Sequence, residues 1–135
     1  MKTIITFGTY DLFHIGHLRI LTRAKMLGDK LVVGVSTDEL NFSKKGIKPV
    51  FTLTERIEIL RALSCVDNVF PEESLELKGE YIRTYKADLL VMGDDWRGKF
   101  DCFKSLCDVV YLPRTEGIST TKIKEYVEKI ASDSL

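Results

Sequence analysis

Apolar residues along this chain come in short runs separated by amphipathic stretches. The run Thr3-Ile4-Ile5-Thr6-Phe7 is β-branched and aromatic, too short for a helix and closed by Gly8, which predicts a buried strand. Leu18, Leu21, Ala24 and Leu27 then recur every three positions up to Gly28, predicting a helix that begins near Ile15 with Gly28 as its C-cap. A second strand is predicted over Lys30–Ser36. Thr52 with Glu55 has the capping-box spacing and starts a helix carrying Leu53, Ile57, Leu60 and Leu63. A third strand over 66–70 is expected to stop at Pro71, and a weaker helix carries Tyr81, Ile82 and Tyr85. Continuous apolar runs predict a fourth strand over 88–92 and a fifth over 109–112, before Pro113. A last helix, over about 120–130, sets Ile123, Tyr126, Val127 and Ile130 on one face.

Strands alternating with helices predict an α/β fold. The expected domain spans residues 1–135 and is built on a doubly wound, Rossmann-like parallel sheet of about five strands, with helices on both faces. Ligands in such sheets sit beyond the C-terminal strand ends, where the strand order reverses. The chemically capable residues fall there. Gly8, Thr9, Tyr10, Asp11, His14 and His17 follow the first strand and Asp38 the second; Gly93, Asp94, Asp95 and Trp96 follow the fourth, and residues 114–121 the fifth.

Twenty basic and twenty acidic residues cancel, so there is no general positive field to attract nucleic acid or an anionic membrane, and an anion site has to be local. The apolar runs are too short to span a bilayer. Three cysteines without a framework spacing, and no leader-like segment, point to a reducing cytoplasmic setting. The basic cluster Lys44, Lys45 and Lys48, interleaved with Gly46 and Pro49, is predicted to be a flexible loop near the ligand edge.

Both histidines of the chain, His14 and His17, stand where the first strand hands over to a helix. Such a junction presents unpaired N–H groups and the positive end of the helix dipole, a natural anion site, and Gly16 lets a ligand approach the backbone. Metal ligation is the competing reading of two histidines three apart, but Cys65, Cys102 and Cys107 complete no zinc spacing, so no metal ligands are assigned. At the other motif, Ser119, Thr120 and Thr121 open the last helix, where hydroxyls either cap it or bind phosphate. The planar fork of Arg114 suits a phosphate or the acceptor edge of a base.

His14-Ile15-Gly16-His17 resembles the HxGH signature of the nucleotidyltransferase superfamily. Arg114-Thr115-Glu116-Gly117-Ile118-Ser119-Thr120-Thr121 resembles the second signature in its cytidylyltransferase form, and Met92-Gly93-Asp94-Asp95-Trp96 extends the likeness. The resemblance implies transfer of CMP from CTP to a small phosphomonoester with release of pyrophosphate. Glycerol 3-phosphate is the first-choice acceptor; another phosphorylated polyol, amino-alcohol or amide that feeds a surface polysaccharide is the alternative. A related adenylyltransferase and a non-catalytic nucleotide-binding module are the rivals.

By resemblance, His14, His17, Lys44 and Arg114 are catalytic. Gly8, Thr9, Tyr10, Asp11, Gly16, Asp38, Asp94, Trp96, Thr115, Ile118, Ser119 and Thr120 bind the nucleotide. Lys44, with Lys45 or Lys48, closes over the triphosphate, and Arg56, Lys45, Lys48 and Asp67 are assigned to the acceptor. Mg²⁺ is expected to accompany CTP, held by phosphate oxygens and water. A homodimer is also implied. Two departures bear on the acceptor: Ser64 stands where an arginine is expected and Leu75 where a tryptophan is expected.

Overall fold

Five parallel strands, β1 (Thr3–Gly8), β2 (Lys30–Ser36), β3 (Asn68–Glu72), β4 (Leu89–Gly93) and β5 (Asp108–Leu112), lie side by side in the order β3-β2-β1-β4-β5. The computed structural model describes residues 1–133. The predicted sheet and its strand count are therefore present, and the order reverses between β1 and β4. Alternate strand residues feed two separate cores. Ile4, Val33 and Val91 pack with Leu21 and Ala24 of α1 (Ile15–Lys25) and Leu60 of α3 (Leu53–Arg61). Ile5, Val32 and Leu90 pack on the opposite face with Ile82 of α4 (Lys78–Thr84). The one-residue offset between the two sets is the period-2 alternation of a strand covered on both sides.

Local signals set several boundaries as predicted. The Thr52–Glu55 capping box is formed in full, with Thr52 Oγ1 accepting from the Glu55 amide and the Glu55 carboxylate accepting from the Thr52 amide. Elsewhere tertiary context overrides the pattern. Gly28 is not the C-cap of α1, which ends at Lys25. A Cβ at Gly28 would come within 2.8 Å of Ile4 Cδ1 and the Lys2 carbonyl, so the glycine is required by close packing on β1. Pro71 does not stop β3 but lies within it, opposite Val35. β3 is an edge strand, where a missing N–H costs no ladder bond.

The predicted lysine loop is in part a helix. α2 (Asp38–Lys45) has Thr37 as N-cap, acidic residues in its first turn, Lys44 and Lys45 in its last turn, and a left-handed Gly46 as C-cap. Every one of those end signals is present in the sequence, but the weak apolar periodicity between them conceals the helix. α5 (Thr120–Asp133) starts where expected, yet its predicted core face is exposed, with Tyr126 66% and Val127 58% accessible. The periodicity identifies an apolar face without identifying what covers it.

Candidate active site

A cleft of about 420 Å³ opens above the C-terminal ends of β1 and β4, at the reversal of strand order. Its floor is the segment between β1 and α1. Tyr10 and Leu12 both have positive φ (55° and 48°), a conformation rare outside glycine, and between them Asp11 is turned into the protein. The Asp11 carboxylate accepts from the amides of Val50 (2.7 Å) and Phe51 (2.9 Å), and its carbonyl accepts from Thr120 Oγ1 (2.8 Å). One residue thus joins the β1–α1 segment, the segment before α3 and the start of α5. Strain in the loop is offset by charge-assisted bonds that a relaxed backbone would not place.

His14 and His17 form an unusual capping box at the start of α1. The Gly16 amide donates to His14 Nδ1 (3.0 Å), and the His14 amide donates to His17 Nδ1 (3.2 Å). Because both Nδ1 atoms accept, each neutral ring carries its proton on Nε2, which is left to donate to a ligand. The rings stack with centroids 3.8 Å apart, and Tyr10 and Phe13 flank His17. A Cβ on Gly16 would come within 2.8 Å of His14 Cε1, so the ring seats only against glycine.

Burial, reinforced by the neighbouring His14, lowers the His17 pKa to about 4 against the attraction of Asp11; burial and Arg114 lower that of His14. Both rings are neutral donors near pH 7. Because His17 binds its proton more weakly folded than unfolded, its contribution to stability is complete above pH 6.5 and is lost as pH falls toward 4. With two histidines in the chain, a proton NMR titration resolves both. The His17 Cε1 resonance should titrate near pH 4, and saturating triphosphate should move it upward. A midpoint at 6.5 in the free protein would contradict this electrostatic account.

A buried polar network supports the second wall. Thr9 Oγ1 bonds Asn41 Oδ1 (2.9 Å) and lies 3.1 Å from Ser36 Oγ, while Asn41 Nδ2 faces the Ser36 hydroxyl and the Ser36 and Thr37 carbonyls. Arg56 is fully buried beside it and donates to the carbonyls of Phe51, Thr9 and Ser36 and to Asp38 Oδ1. This corrects two expectations. Arg56 is not available to an acceptor phosphate, because its guanidinium is consumed inside the protein. Asp38 does not reach the nucleotide cleft, because it pairs with Arg56 and accepts from the Leu53 amide.

The remaining predicted residues divide clearly. Gly8, Thr9, Tyr10, Asp11, His14, Gly16, His17, Lys45, Lys48, Trp96, Arg114, Thr115, Ile118, Ser119 and Thr120 all line the cleft. Lys44 does not; it lies at the end of α2 within electrostatic reach of Glu72 and Lys78, which form a buried ion pair. Asp94 is replaced by its neighbour, since Asp95 lines the cleft and its carboxylate lies 3.7 Å from Arg114 across it. In the 3₁₀ turn Asp94–Trp96 successive side chains diverge, so only one of the adjacent carboxylates can face the ligand.

Thr120 spends its hydroxyl proton on Asp11, whereas Ser119 Oγ accepts from the Lys122 amide and keeps its own proton for a ligand. Sequence reasoning missed Asn41, Asp95 and Lys124 as site residues. Asp95 had a signal in its place beside Asp94 after the fourth strand, and Lys124 in its position one helical turn beyond Thr120; Asn41 had none.

Residues 5–126 match the family model described as Cytidylyltransferase-like. The chain belongs to this cytidylyltransferase-like family. It is 54% identical over 127 residues to a glycerol-3-phosphate cytidylyltransferase of Bacillus subtilis, covering 94% of this chain and 98% of that protein. It is 47% identical over 125 residues to the protein of the same name from Staphylococcus aureus, covering 93% and 94%. A lipopolysaccharide core biosynthesis protein from Thermoplasma volcanium shares the fold, with a TM-score of 0.73 at 23% identity over 86% of this chain and 99% of that one.

Within this cytidylyltransferase-like chain, Asp67 lies at the opposite edge of the sheet from the cleft. Its carboxylate accepts from the Leu31 amide (2.8 Å) at the beginning of β2 and from Lys25 Nζ (2.5 Å). It is therefore withdrawn as an acceptor ligand. Ser64 is exposed in the turn ahead of β3, at that same far edge, so its departure from the family pattern does not alter the cleft of its own chain. Leu75 follows β3 on the cleft side but does not line the cleft.

Proposed function

We propose that this chain transfers CMP from CTP to glycerol 3-phosphate, releasing pyrophosphate and forming CDP-glycerol. The observation that carries this reading is 54% identity to a glycerol-3-phosphate cytidylyltransferase along 98% of that protein's length. The withdrawal of Ser64 from the cleft supports it. An oxygen of the acceptor phosphate forms a bond to the α-phosphorus of CTP as the bond from that phosphorus to the bridging oxygen breaks, and the electron pair leaves with pyrophosphate. The attacking oxygen is already anionic near neutral pH, so alignment and charge stabilisation dominate over base catalysis. His14 and His17 donate Nε2–H bonds to phosphate oxygens on which charge develops. Lys45 and Lys48 hold the triphosphate from one wall and Ser119 from the other, while Arg114, Asp95 and Trp96 frame the base.

Among the described residues no group of three or more His, Cys, Asp or Glu is arranged to hold a metal ion. We propose that Mg²⁺ accompanies CTP, ligated mainly by phosphate oxygens and water. No helix among the described residues is long and apolar enough to cross a membrane. We place the enzyme in the cytoplasm as a homodimer, supplying activated glycerol phosphate for a surface polymer; its free cysteines and the exposed face of α5 support this assignment.

Pyrophosphate release decides the reading. With Mg·CTP, glycerol 3-phosphate should give the highest kcat/KM in a panel of phosphorylated polyols and amino-alcohols, and ATP or UTP in place of CTP should support little turnover. Preference for ATP, or for another acceptor, would replace the proposal. Nucleotide binding with no pyrophosphate from any acceptor would favour a non-catalytic module.

A further inference from the structure

Asn41, near the start of α2, lines the cleft with 1% of its surface exposed, and the proposed reaction gives it no task. Its carboxamide can sit only one way round. Nδ2 donates to the carbonyl oxygens of Ser36 (3.2 Å) and Thr37 (2.9 Å), which accept and cannot donate, and to the Ser36 hydroxyl (2.8 Å). Oδ1 is thereby turned to Thr9 Oγ1 at 2.9 Å and takes the Thr9 hydroxyl proton. Ser36 Oγ accepts from Asn41, so its own proton points to Thr9 Oγ1 (3.1 Å) and, more weakly, to the Gly8 carbonyl (3.5 Å). The three side chains close a ring in which every bond runs the same way: Ser36 to Thr9, Thr9 to Asn41, Asn41 to Ser36. Bonds arranged head to tail polarise one another, and reversing one would leave a buried polar group unpaired.

The direction of the ring decides what Thr9 offers to a ligand. Its proton is spent and one lone pair receives Ser36, so what Oγ1 keeps for the cleft is a lone pair that accepts. Phosphate oxygens, which are acceptors themselves, gain nothing from it. Hydroxyl groups do, and in the proposed reaction these belong to the ribose and to the acceptor. Thr9 lies where β1 adjoins β2, next to α2, whereas Arg114, Asp95 and Trp96, which frame the base, follow β4 and β5 on the other side of β1. The ribose is tied to the base, so the hydroxyl that meets Thr9 is the acceptor's.

We infer that Asn41 is a positioning residue for the acceptor: it commits Thr9 Oγ1 to accept from an alcohol hydroxyl, and so selects phosphorylated polyols over phosphate esters that carry no free hydroxyl. The inference rests on the proposed transfer from CTP. Its test is pyrophosphate release with Mg·CTP and either glycerol 3-phosphate or propyl phosphate, which lacks both hydroxyls. The wild type should favour glycerol 3-phosphate in kcat/KM by at least about tenfold, the scale for one neutral hydrogen bond to a substrate hydroxyl. That preference should fall by about tenfold in Thr9→Val, which keeps the shape without the hydroxyl, and by about as much in Asn41→Leu. The double variant should lose no more than Thr9→Val alone, because both changes act on one bond. Thr9→Ser should keep the preference. The ratio is taken within each variant, so a general loss of activity or stability cancels; if Asn41→Leu does not fold, Asn41→Ala is measured in its place.

A wild-type preference retained in Thr9→Val and Asn41→Leu while their overall rates fall would make the ring a structural brace. Equal use of the two esters by the wild type would show that no hydroxyl is read. A preference lost in Thr9→Val but kept in the Asn41 variants would remove Asn41 from the role. Each of these overturns the inference and leaves CMP transfer standing, whereas no pyrophosphate from any ester would overturn both.

Discussion

His17→Ala lowers kcat by about 10²–10³, the range for losing one preorganised donor aimed at developing charge. The expectation follows from the tautomer. His17 Nδ1 is occupied by the His14 amide, so Nε2–H is free to donate, and a ring with a pKa near 4 is neutral at working pH. A neutral donor stabilises a phosphate oxygen more as negative charge accumulates on it in the transition state, so the loss should appear in kcat more than in KM. Removing the ring also deletes one arm of the helix cap, worth about 1 kcal/mol of stability. Thermal unfolding of the variant separates the two effects, since a shift of only a few degrees cannot account for a hundredfold rate loss. Near-normal pyrophosphate release at saturating substrates would remove the central chemical role given to this histidine.

Arg56→Ala should destabilise the protein by about 3 kcal/mol, the low end for breaking a buried ion pair because Asp38 keeps some access to water. The substitution leaves the Thr9, Ser36 and Phe51 carbonyls without their donor and Asp38 without its counter-charge. The expected fall in melting temperature is about 10 °C for a chain of this size. Arg56→Lys should restore little of it, because a point ammonium cannot reproduce a planar fork that serves four acceptors in different directions. Thr9 and the segment leading into α3 are held by the same guanidinium, so nucleotide KM should rise along with the loss of stability. Urea denaturation and steady-state kinetics on the same variant check both parts. A variant of unchanged stability whose KM rises only for the acceptor would restore Arg56 to the role the family resemblance implied.

The contrast between Arg56 and Lys124 shows how far the pattern of residues can be read. Both are single basic residues on amphipathic helices, and neither position reveals from sequence whether its charge points inward or into a cleft. Arg56 is satisfied by carbonyls that arrive from the β1–α1 segment and the end of β2, whereas Lys124 lines the cleft. The adjacent pair Asp94 and Asp95 poses the same problem at a smaller scale. Their order along the chain places both at the ligand edge, and a turn of 3₁₀ helix decides that Asp95 faces Arg114. Asp67 carries the opposite lesson. It stands shortly before a strand whose C-terminal end is near the cleft, but its own place is at the strand's beginning, on the far edge of the sheet.

The sequence by itself determined the α/β class, the parallel five-stranded sheet, the edge on which chemistry gathers and the two motifs that build the site. Those features are written in short-range information: period-2 and period-3.6 apolar patterns, caps, and motifs confined to strand–helix junctions. Tertiary structure decided which histidine nitrogens face a ligand, which carboxylate and which cations enter the cleft, and which polar residues are consumed as internal braces. The reason is separation along the chain. Asp11 meets an amide 39 residues away and a hydroxyl 109 residues away, and contacts of that range are fixed only when the sheet, α3 and α5 have come together.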